Sequence, residues 1–322
     1  MKNKIKLITG VFLLAIAVVL ILVCRTYFSV HKSQVFAMDT YCSLEVKGNE
    51  KVLSELETII QHYDEKYNAY NENSVVYSLN LNGLCDDEET VMLAESLLKY
   101  GEMTDGAYDF SLKKLSDLWG FHKKAVTEPN EIHFDKFGID KVSIKDKTLI
   151  LDGVEVDFGG VMKGYVTDRI HEKLIEKNVS EAIINLGGNV LALGSHNVGI
   201  QDPYDKNSLL CAVSVMDKAV VTSGIYQRTF PDQNGVMRHH ILNPQTGYPA
   251  DSGVVSVTVI GKNATECDVL STAFLVLGKD KTAELLKKFD AEVIMLTEEG
   301  LFCSYGIADS VEVYGKYTRE VF

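Results

Sequence analysis

Glycines and a lysine cluster between residues 157 and 164, where the sequence reads Asp-Phe-Gly-Gly-Val-Met-Lys-Gly. The pattern predicts a strand that runs through a glycine turn into a helix beginning at Lys163. Glycines let main-chain groups approach an anion, a helix start carries partial positive charge, and Lys163 adds a full charge. A polyphosphate would suit such a loop, although the segment matches neither GxxxxGK[ST] nor GxGxxG. The alternative is an ordinary strand-to-helix turn with Lys163 in solvent.

A carboxylate and a hydroxyl share one face of a second predicted helix, because Asp268 and Thr272 stand at positions i and i+4. Both are hard oxygen ligands of the kind that Mg²⁺ prefers, and Mg²⁺ needs few protein ligands when substrate phosphates and waters complete its octahedron. The alternative is that Asp268 only complements the helix N-terminus and that Thr272 bonds to a main-chain carbonyl.

Two adjacent histidines, His239 and His240, precede a turn rich in Pro and Gly. Neighbouring residues of a strand point to opposite faces, so only one of the two can serve a site. That histidine is either a proton acceptor near neutral pH or a structural residue. Two further glycine turns end strands, at residues 184–189 and 221–228, and Arg228 is either a phosphate or flavin contact or an exposed cation.

The elements that must position these residues follow from the spacing of apolar side chains. This spacing predicts helices over residues 50–67, 88–103, 111–119, 163–176, 265–277 and 281–289. It predicts strands over residues 35–46, 142–144, 149–151, 154–158, 182–186, 210–215, 220–221, 239–242, 254–260, 293–296 and 311–314. Hairpin-like neighbours dominate over strand-helix-strand units, so we expect an α+β fold with largely antiparallel sheets flanked by helices. Without a Pro- or Gly-rich linker, residues 31–322 are expected to form one domain.

The composition excludes several classes of protein. The 322 residues are 46% hydrophobic and 24% charged, which is typical of a globular chain, and the net charge of −13 argues against a nucleic-acid partner. The cysteines that follow residue 30 form no CxxC pair and are odd in number, so the sequence indicates neither a zinc site nor a disulfide framework. Cys267 lies in an apolar helical pattern and Cys211 and Cys303 in strand-like runs, so we expect these three to be small buried hydrophobic side chains.

Residues 1–30 predict a membrane anchor. Lys2, Lys4 and Lys6 precede an apolar run over residues 7–24, which at 1.5 Å per residue would span about 27 Å, close to the thickness of a bilayer core. The excess of lysine before the run orients the N-terminus to the cytoplasm and places residues 31–322 on the extracytoplasmic side of the cell membrane. A cleaved signal peptide and a lipoprotein modified at Cys24 are the alternatives.

Taken together, these segments resemble the ApbE family of Mg²⁺-dependent FAD:protein FMN transferases, and their order is the family's order over roughly residues 35–320. The motifs that carry the resemblance are Met38-Asp-Thr40, Thr104-Asp-Gly-Ala-Tyr-Asp109 followed by Trp119-Gly-Phe, DxGGxxKG at Asp157, GGN at Gly187, TSGxYxR at Thr222, HxxxPxTGxP at His240 and DxxxT at Asp268. Two positions depart from the pattern, since Asp39 replaces a glycine and Asn243 replaces the usual acid before Pro244.

The resemblance implies roles for particular residues. The residues that would hold Mg²⁺ against the FAD pyrophosphate are Gly160 through its carbonyl, Asp268, Ser271 and Thr272. Those that would contact FAD are Met38, Tyr70, Ala107, Tyr108, Asp109, Asp157, Lys163, Arg228, His240 and Ile241. His240 and Asp268 would be the catalytic pair, with His240 activating the acceptor.

The implied reaction moves FMN from FAD to a Thr or Ser hydroxyl of a membrane or surface redox protein and releases AMP. Two rival functions use the same residues. A Mg²⁺-dependent FAD pyrophosphatase would put water in the place of the acceptor, and a surface flavin-binding protein would hold FAD without chemistry.

Overall fold

The computed structural model describes residues 29–322 together with residues 9, 10, 12–14, 16 and 18. Most of the predicted membrane segment, residues 7–24, lies outside the described residues. Among the residues that are described, no helix is both long enough and apolar enough to cross a membrane.

The strands, in chain order, are β1 (Val30–Ala37), β2 (Thr40–Lys47), β3 (Leu84–Cys85), β4 (Val142–Lys145), β5 (Thr148–Leu151), β6 (Ala182–Leu186), β7 (Asn189–Asp202), β8 (Asp205–Gly224), β9 (Thr229–Pro231), β10 (Met237–His239), β11 (Val254–Gly261), β12 (Ala291–Thr297), β13 (Leu301–Cys303), β14 (Val311–Val313) and β15 (Arg319–Val321). The α-helices are α1 (Lys51–Tyr67), α2 (Val75–Asn82), α3 (Glu88–Met103), α4 (Lys113–Trp119), α5 (Met162–Glu176), α6 (Ala264–Leu277) and α7 (Lys279–Leu285). Short 3₁₀ turns cover Phe134–Lys136, Ile139–Lys141, Leu286–Lys288 and Tyr305–Ser310.

A ten-stranded sheet organises the fold, with strand order β1-β2-β6-β7-β8-β11-β12-β13-β15 and with β14 paired to β8. Its pairs are antiparallel except for β13 with β15. A two-stranded sheet of β9 and β10 and a three-stranded sheet of β3, β5 and β4 lie apart from it. The expected α+β fold with largely antiparallel sheets is confirmed.

Both faces of the large sheet are covered, so β11 is buried along its whole length. Val221 and Val259 point to the face that carries α5 and α6, whereas their neighbours Val220 and Ile260 belong to a separate cluster on the other face. Alternation along each strand produces this division. The sheet therefore lies under the two helices that carry Lys163, Asp268 and Thr272.

The predicted helices over residues 50–67, 88–103, 163–176 and 265–277 are confirmed to within one residue at either end. Helix α2 was missed because its valines and tyrosine favour a strand. Its caps were the available signal, since Ser74 accepts a hydrogen bond from the Tyr77 nitrogen and Gly83 adopts a left-handed conformation.

Several strand predictions were wrong in instructive ways. Residues 35–46 form a hairpin rather than one strand, with Met38 and Asp39 in the turn at φ values of 51° and 58°. The turn was missed because neither of these positions is a glycine. Residues 210–215 and 220–221 belong to the single long strand β8. Strand β7 was missed because a register shift between Ala192 and Ser195 interrupts its alternation.

Residues 154–158 were predicted as a strand and instead form an extended segment with one isolated bridge, between Leu112 and Glu155. A side chain takes the place of the neighbouring strand. The Asn80 amide accepts from the Val156 nitrogen at 2.8 Å and donates to the Val156 oxygen at 2.9 Å. The third strand of the small sheet is β3.

Helices α5 and α6 cross at Gly164, the last glycine of the 157–164 segment. A Cβ built on Gly164 would lie 2.4 Å from the Ala264 oxygen and 2.7 Å from the Asp268 Cβ. Gly160, four residues earlier, has open space in the corresponding direction. The two glycines therefore serve different purposes, one in packing and one at an open surface.

We expect Gly164→Ala to lower the free energy of unfolding by about 1–3 kcal/mol, because the methyl group would meet main-chain atoms that cannot move aside. Gly160→Ala is the matched control and should unfold like the wild type. Urea denaturation of the two variants measures the difference, and equal stabilities would contradict the close crossing of α5 and α6.

Candidate functional site

The segment before α5 leaves its glycines open to solvent. The Asp157 carboxylate accepts a hydrogen bond from the Gly159 nitrogen at 2.8 Å, which folds the loop back on itself, and Gly159 and Gly160 are exposed. Lys163, in the first turn of α5, is half-buried and has no carboxylate within ion-pair distance among residues 29–322. The Lys163 ammonium group is half-buried and without an ion-pair partner among residues 29–322, and it lies beside exposed main chain at the start of a helix. Such an arrangement favours binding of an anion.

Asp268 lies under this loop and is only 3% exposed. Its Oδ2 accepts a hydrogen bond from the Gly164 nitrogen at 2.8 Å. Burial raises the pKa of the carboxyl group, while the charge of Lys163 acts in the opposite direction. The carboxylate therefore faces the start of α5 and its lysine.

The alternative that Asp268 complements its own helix N-terminus is wrong. Asn263 caps α6 by accepting from the Glu266 nitrogen at 2.7 Å, and Asp168 of α5 accepts from the Ala264 and Thr265 nitrogens at 2.8 and 2.9 Å. Asp268 lies one turn further along the helix. It is thus free of the capping role.

Three hydroxyl groups meet beside Asp268. The Ser223 oxygen, near the end of β8, lies 2.8 Å from the Ser271 oxygen and 3.3 Å from the Thr272 Oγ1. Ser271 donates to the Asp268 carbonyl at 3.0 Å, whereas the Thr272 hydroxyl bonds to no main-chain carbonyl among the described residues. The Thr272 hydroxyl therefore faces Ser223 at the end of β8.

These groups fit a hard divalent cation through their oxygen chemistry. They offer one carboxylate and several hydroxyls, and the buried amide group of Asn189 has no hydrogen-bond partner within the part of the chain that the structure describes. No group of three or more His, Cys, Asp or Glu side chains in the described part of the chain could hold a metal ion. Mg²⁺ matches a sparse oxygen set of this kind, because substrate phosphates and waters supply its remaining ligands.

The two histidines differ from the sequence prediction. Strand β10 ends at His239, so His240 and the residues up to 242 are not strand, and the argument from opposite strand faces was wrong. The His239 Nε2 lies 3.0 Å from the Ala250 oxygen, which ties that ring to the backbone. The His240 Nδ1 is buried without a hydrogen-bond partner among the described residues.

The charge state of His240 follows from its surroundings. Burial, followed by the nearby charges of Arg228 and Lys163, lowers the pKa of His240 to about 3. The imidazole is therefore neutral at pH 7, and it lies within electrostatic reach of the same lysine as Asp268. The following turn is fixed by Trp119, whose Nε1 donates to the Gly247 oxygen at 2.9 Å.

The residues implied as a flavin wall differ in how much surface they offer. The Tyr70 ring stacks on His122 with centroids 3.4 Å apart, and its hydroxyl donates to Asp117 at 2.8 Å. Burial raises the pKa of Tyr70, and nearby Asp157 acts in the same direction. The effect of Asp157 on Tyr70 means that the tyrosine lies close to the glycine loop.

Other members of that wall are buried. Ala107, Tyr108 and Ile241 are each less than 9% exposed. The Asp109 carboxylate accepts from the Ser111 nitrogen at 2.7 Å and from the Ile139 nitrogen at 3.0 Å, so it fixes its own loop. These residues shape the site mainly through their main chain and packing.

Met38 lies in the β1–β2 turn beside Asp39, and Arg228 lies close to Asp157 and His240. Asp39, which replaces the family's glycine, forms an ion pair with Arg228 at 2.8 Å, and both side chains are exposed. Burial raises the pKa of Asp157 and lowers the pKa of His240, and the charge of Arg228 acts downward on both. Arg228 is therefore an exposed cation that is paired with Asp39 and lies near the site.

Sequence reasoning missed three contributors, namely Asp168, Asn189 and Ser223. Asn189 and Ser223 stood inside the GGN and TSGxYxR motifs, which were quoted without a role for these side chains. Asp168 had no signal, because its capping of α6 depends on a contact between helices that are about 96 residues apart in sequence.

Comparison with known proteins agrees with this site. A family model described as the ApbE family matches residues 38–296, which include the site residues named above. A FAD:protein FMN transferase of Treponema pallidum is 31% identical over 298 residues, covering 81% of each chain, and one of Escherichia coli is 28% identical over 281 residues, covering 80% of each. The crystal structure of the ApbE protein of Thermotoga maritima is similar with a TM-score of 0.81 and 30% identity, covering 88% of this chain and 99% of that one.

The lowered pKa of His240 predicts a specific loss of stability in acid. His240 takes up a proton below about pH 6.5 in the unfolded chain but only near pH 3 in the folded chain. As the pH falls from 6.5 to 3, the free energy of unfolding therefore decreases. Above pH 6.5 the titration of this residue has no effect on stability. The free energy of unfolding changes by at most roughly 1.4 kcal/mol per pH unit in this range.

Urea denaturation at pH 7 and at pH 4.5 measures this effect. The variant His240→Gln should lose less stability between the two pH values than the wild type, whereas His62→Gln, at an exposed position, should lose the same amount as the wild type. A wild-type loss in His240→Gln would contradict the assignment.

Proposed function

This chain belongs to the ApbE family, and we propose that it is a Mg²⁺-dependent FAD:protein FMN transferase acting on a Thr or Ser hydroxyl of a redox protein. The observation that carries the proposal is the meeting of an open glycine loop, the unpaired Lys163 and the buried Asp268 where α5 and α6 cross. Residues 31–322 would form the transferase domain.

The FAD pyrophosphate would lie against the start of α5. Lys163 supplies a full positive charge there, and the open loop at Gly159 and Gly160 lets main-chain groups approach the phosphate oxygens. Tyr70 and Met38 would border the flavin. Each of these residues binds or orients the substrate without bonding to it covalently, as expected for a reaction that depends on positioning and charge stabilisation.

The cation would be held by the carboxylate of Asp268, the hydroxyls of Ser271 and Thr272 and the carbonyl of Gly160. When bound, Mg²⁺ supplies charge neutralisation at the pyrophosphate. Asp268 is suited to this role because it is buried beside Lys163, where the low dielectric strengthens its interaction with a cation.

His240 would accept the proton of the acceptor hydroxyl. The hydroxyl oxygen attacks the phosphorus on the FMN side, the bond to the bridging oxygen breaks, and AMP leaves with that oxygen. A neutral imidazole is ready to accept a proton at pH 7. Burial is the main cause of the lowered pKa of His240, and the charges of Arg228 and Lys163 lower it further, so its basicity should rise in part once the pyrophosphate neutralises those two charges.

The proposal predicts FAD-dependent modification of an acceptor. The full chain in detergent, incubated with FAD, Mg²⁺ and a candidate redox subunit, should add one FMN to the subunit by intact mass and release AMP. Asp268→Asn should abolish transfer, since the cation loses its carboxylate. His240→Ala should bind FAD normally but transfer roughly 10²–10⁴-fold more slowly, and His62→Gln should match the wild type.

Two outcomes would contradict a transferase. Release of FMN and AMP with no mass gain on the acceptor would identify a pyrophosphatase, in which water replaces the hydroxyl. FAD binding with no AMP release at any Mg²⁺ concentration would identify a flavin-binding protein.

We also propose that residues 7–24 anchor the chain in the cell membrane with the catalytic domain on the extracytoplasmic side. The support is the apolar run itself and the three lysines that precede it. Protease added to intact cells should digest residues 31–322. Protection of the domain until the membrane is broken would reverse the topology, and a shortened mature chain that begins after residue 24 would replace the anchor with a cleaved signal.

A further inference from the structure

Asn189 is a buried polar side chain to which the proposed reaction gives no role. It is 1% exposed, and neither its amide oxygen nor its amide nitrogen has a hydrogen-bond partner among the described residues. Leaving a buried polar group unpaired destabilises the folded state. A leucine would occupy the same space without that cost, so the amide needs an explanation.

The backbone does not require this side chain. The glycine turn before it, at Gly187 and Gly188, is already held by Asn185, whose side-chain oxygen accepts from the Gly188 nitrogen at 2.9 Å. Gly187 and Gly188 adopt positive φ values of 65° and 101°, which glycine tolerates without strain. Asn189 therefore neither caps nor stabilises the turn.

The sheet register places Asn189 under α6. Asn189 is the first residue of β7 and pairs with Val221 of β8. Directly opposed residues share a face, and so does the residue two further along the strand, which is Ser223. Because Ser223 contacts the hydroxyls of Ser271 and Thr272, the Asn189 amide lies on the same side of the sheet as the proposed cation ligands.

Asp268 is the neighbour that the amide can serve. One of its carboxylate oxygens, Oδ2, is engaged by the Gly164 nitrogen at 2.8 Å. Burial raises the pKa of the Asp268 carboxyl group, and the Asn189 amide is near enough to act in the opposite direction, although the two groups do not meet in hydrogen-bond geometry. The carboxylate thus has one engaged donor, on α5, and a nearby amide on the sheet that no other described group occupies.

We propose that Asn189 is a positioning residue of the divalent-cation site. When the cation binds, its amide nitrogen donates to the Asp268 carboxylate and keeps that group in the binding orientation, and its amide oxygen accepts a hydrogen bond from a water that accompanies the ion. The inference rests on the proposed function only in its choice of ion. Side chains that orient ligands in this way typically change metal affinity by 10–100-fold when they are removed.

The test measures cation binding without any flavin chemistry. Mn²⁺ is titrated into the full chain in detergent, and free Mn²⁺ is followed by electron paramagnetic resonance. Asn189→Leu should weaken Mn²⁺ binding 10–100-fold, while the melting temperature measured in EDTA stays equal to that of the wild type or rises. Asn189→Ala provides a second variant in case leucine does not fit.

Thr258→Val is the matched control. Thr258 is 1% exposed and lies on β11, the strand that pairs with β8. Its hydroxyl lies 2.8 Å from the hydroxyl of Thr222, and Thr222 points to the opposite face of the sheet from Ser223. This control should lower the melting temperature and leave Mn²⁺ affinity unchanged. The contrast separates loss of a positioned carboxylate from a general loosening of the sheet.

A double-mutant cycle shows whether Asn189 acts through Asp268. In an Asp268→Asn background, Asn189→Leu should have little further effect on Mn²⁺ binding. Wild-type Mn²⁺ affinity in Asn189→Leu and Asn189→Ala would overturn the inference, as would full additivity with Asp268→Asn. A failure of FMN transfer with the predicted Mn²⁺ pattern intact would count against the proposed function alone.

Discussion

The hydrogen bond from the Gly164 nitrogen to Asp268 joins the two helices on which the site depends. It requires α5 and α6 to approach so closely that only glycine fits at position 164. The same approach brings the glycine loop and Lys163, at the start of α5, over the hydroxyls of α6. A change that separated the helices would therefore displace the proposed anion site, formed by the glycine loop and Lys163, from the Asp268 carboxylate.

A charge imbalance surrounds this crossing. The chain as a whole is strongly acidic, with a net charge of −13, yet Lys163 and Arg228 face the site and both lower the pKa of His240. Arg228 is partly offset by its ion pair with Asp39, and Lys163 by the buried Asp268. An anionic substrate would still meet two cations at this site, although the protein as a whole should repel anions.

The sequence predicted the parts of the site that depend on local pattern. Asp268 and Thr272 share a helix face because of the helical period, and the glycines of 157–164 lead into a helix as expected. It failed where tertiary contacts replace local signals. The Asn80 side chain stands in for a strand beside Val156, the turn at Met38 has no glycine, and His240 leaves the strand early because β10 is only three residues long.

The ion pair between Asp39 and Arg228 links the tip of the β1–β2 hairpin to the loop that follows β8. An ion pair with both partners exposed contributes about 1 kcal/mol or less, and dissolved ions screen it. The contact between the hairpin tip and the loop after β8 thus weakens as ionic strength rises. A chain with glycine in place of Asp39 would lack this dependence, so in this protein the ionic strength sets how firmly the turn beside Met38 is held against that loop.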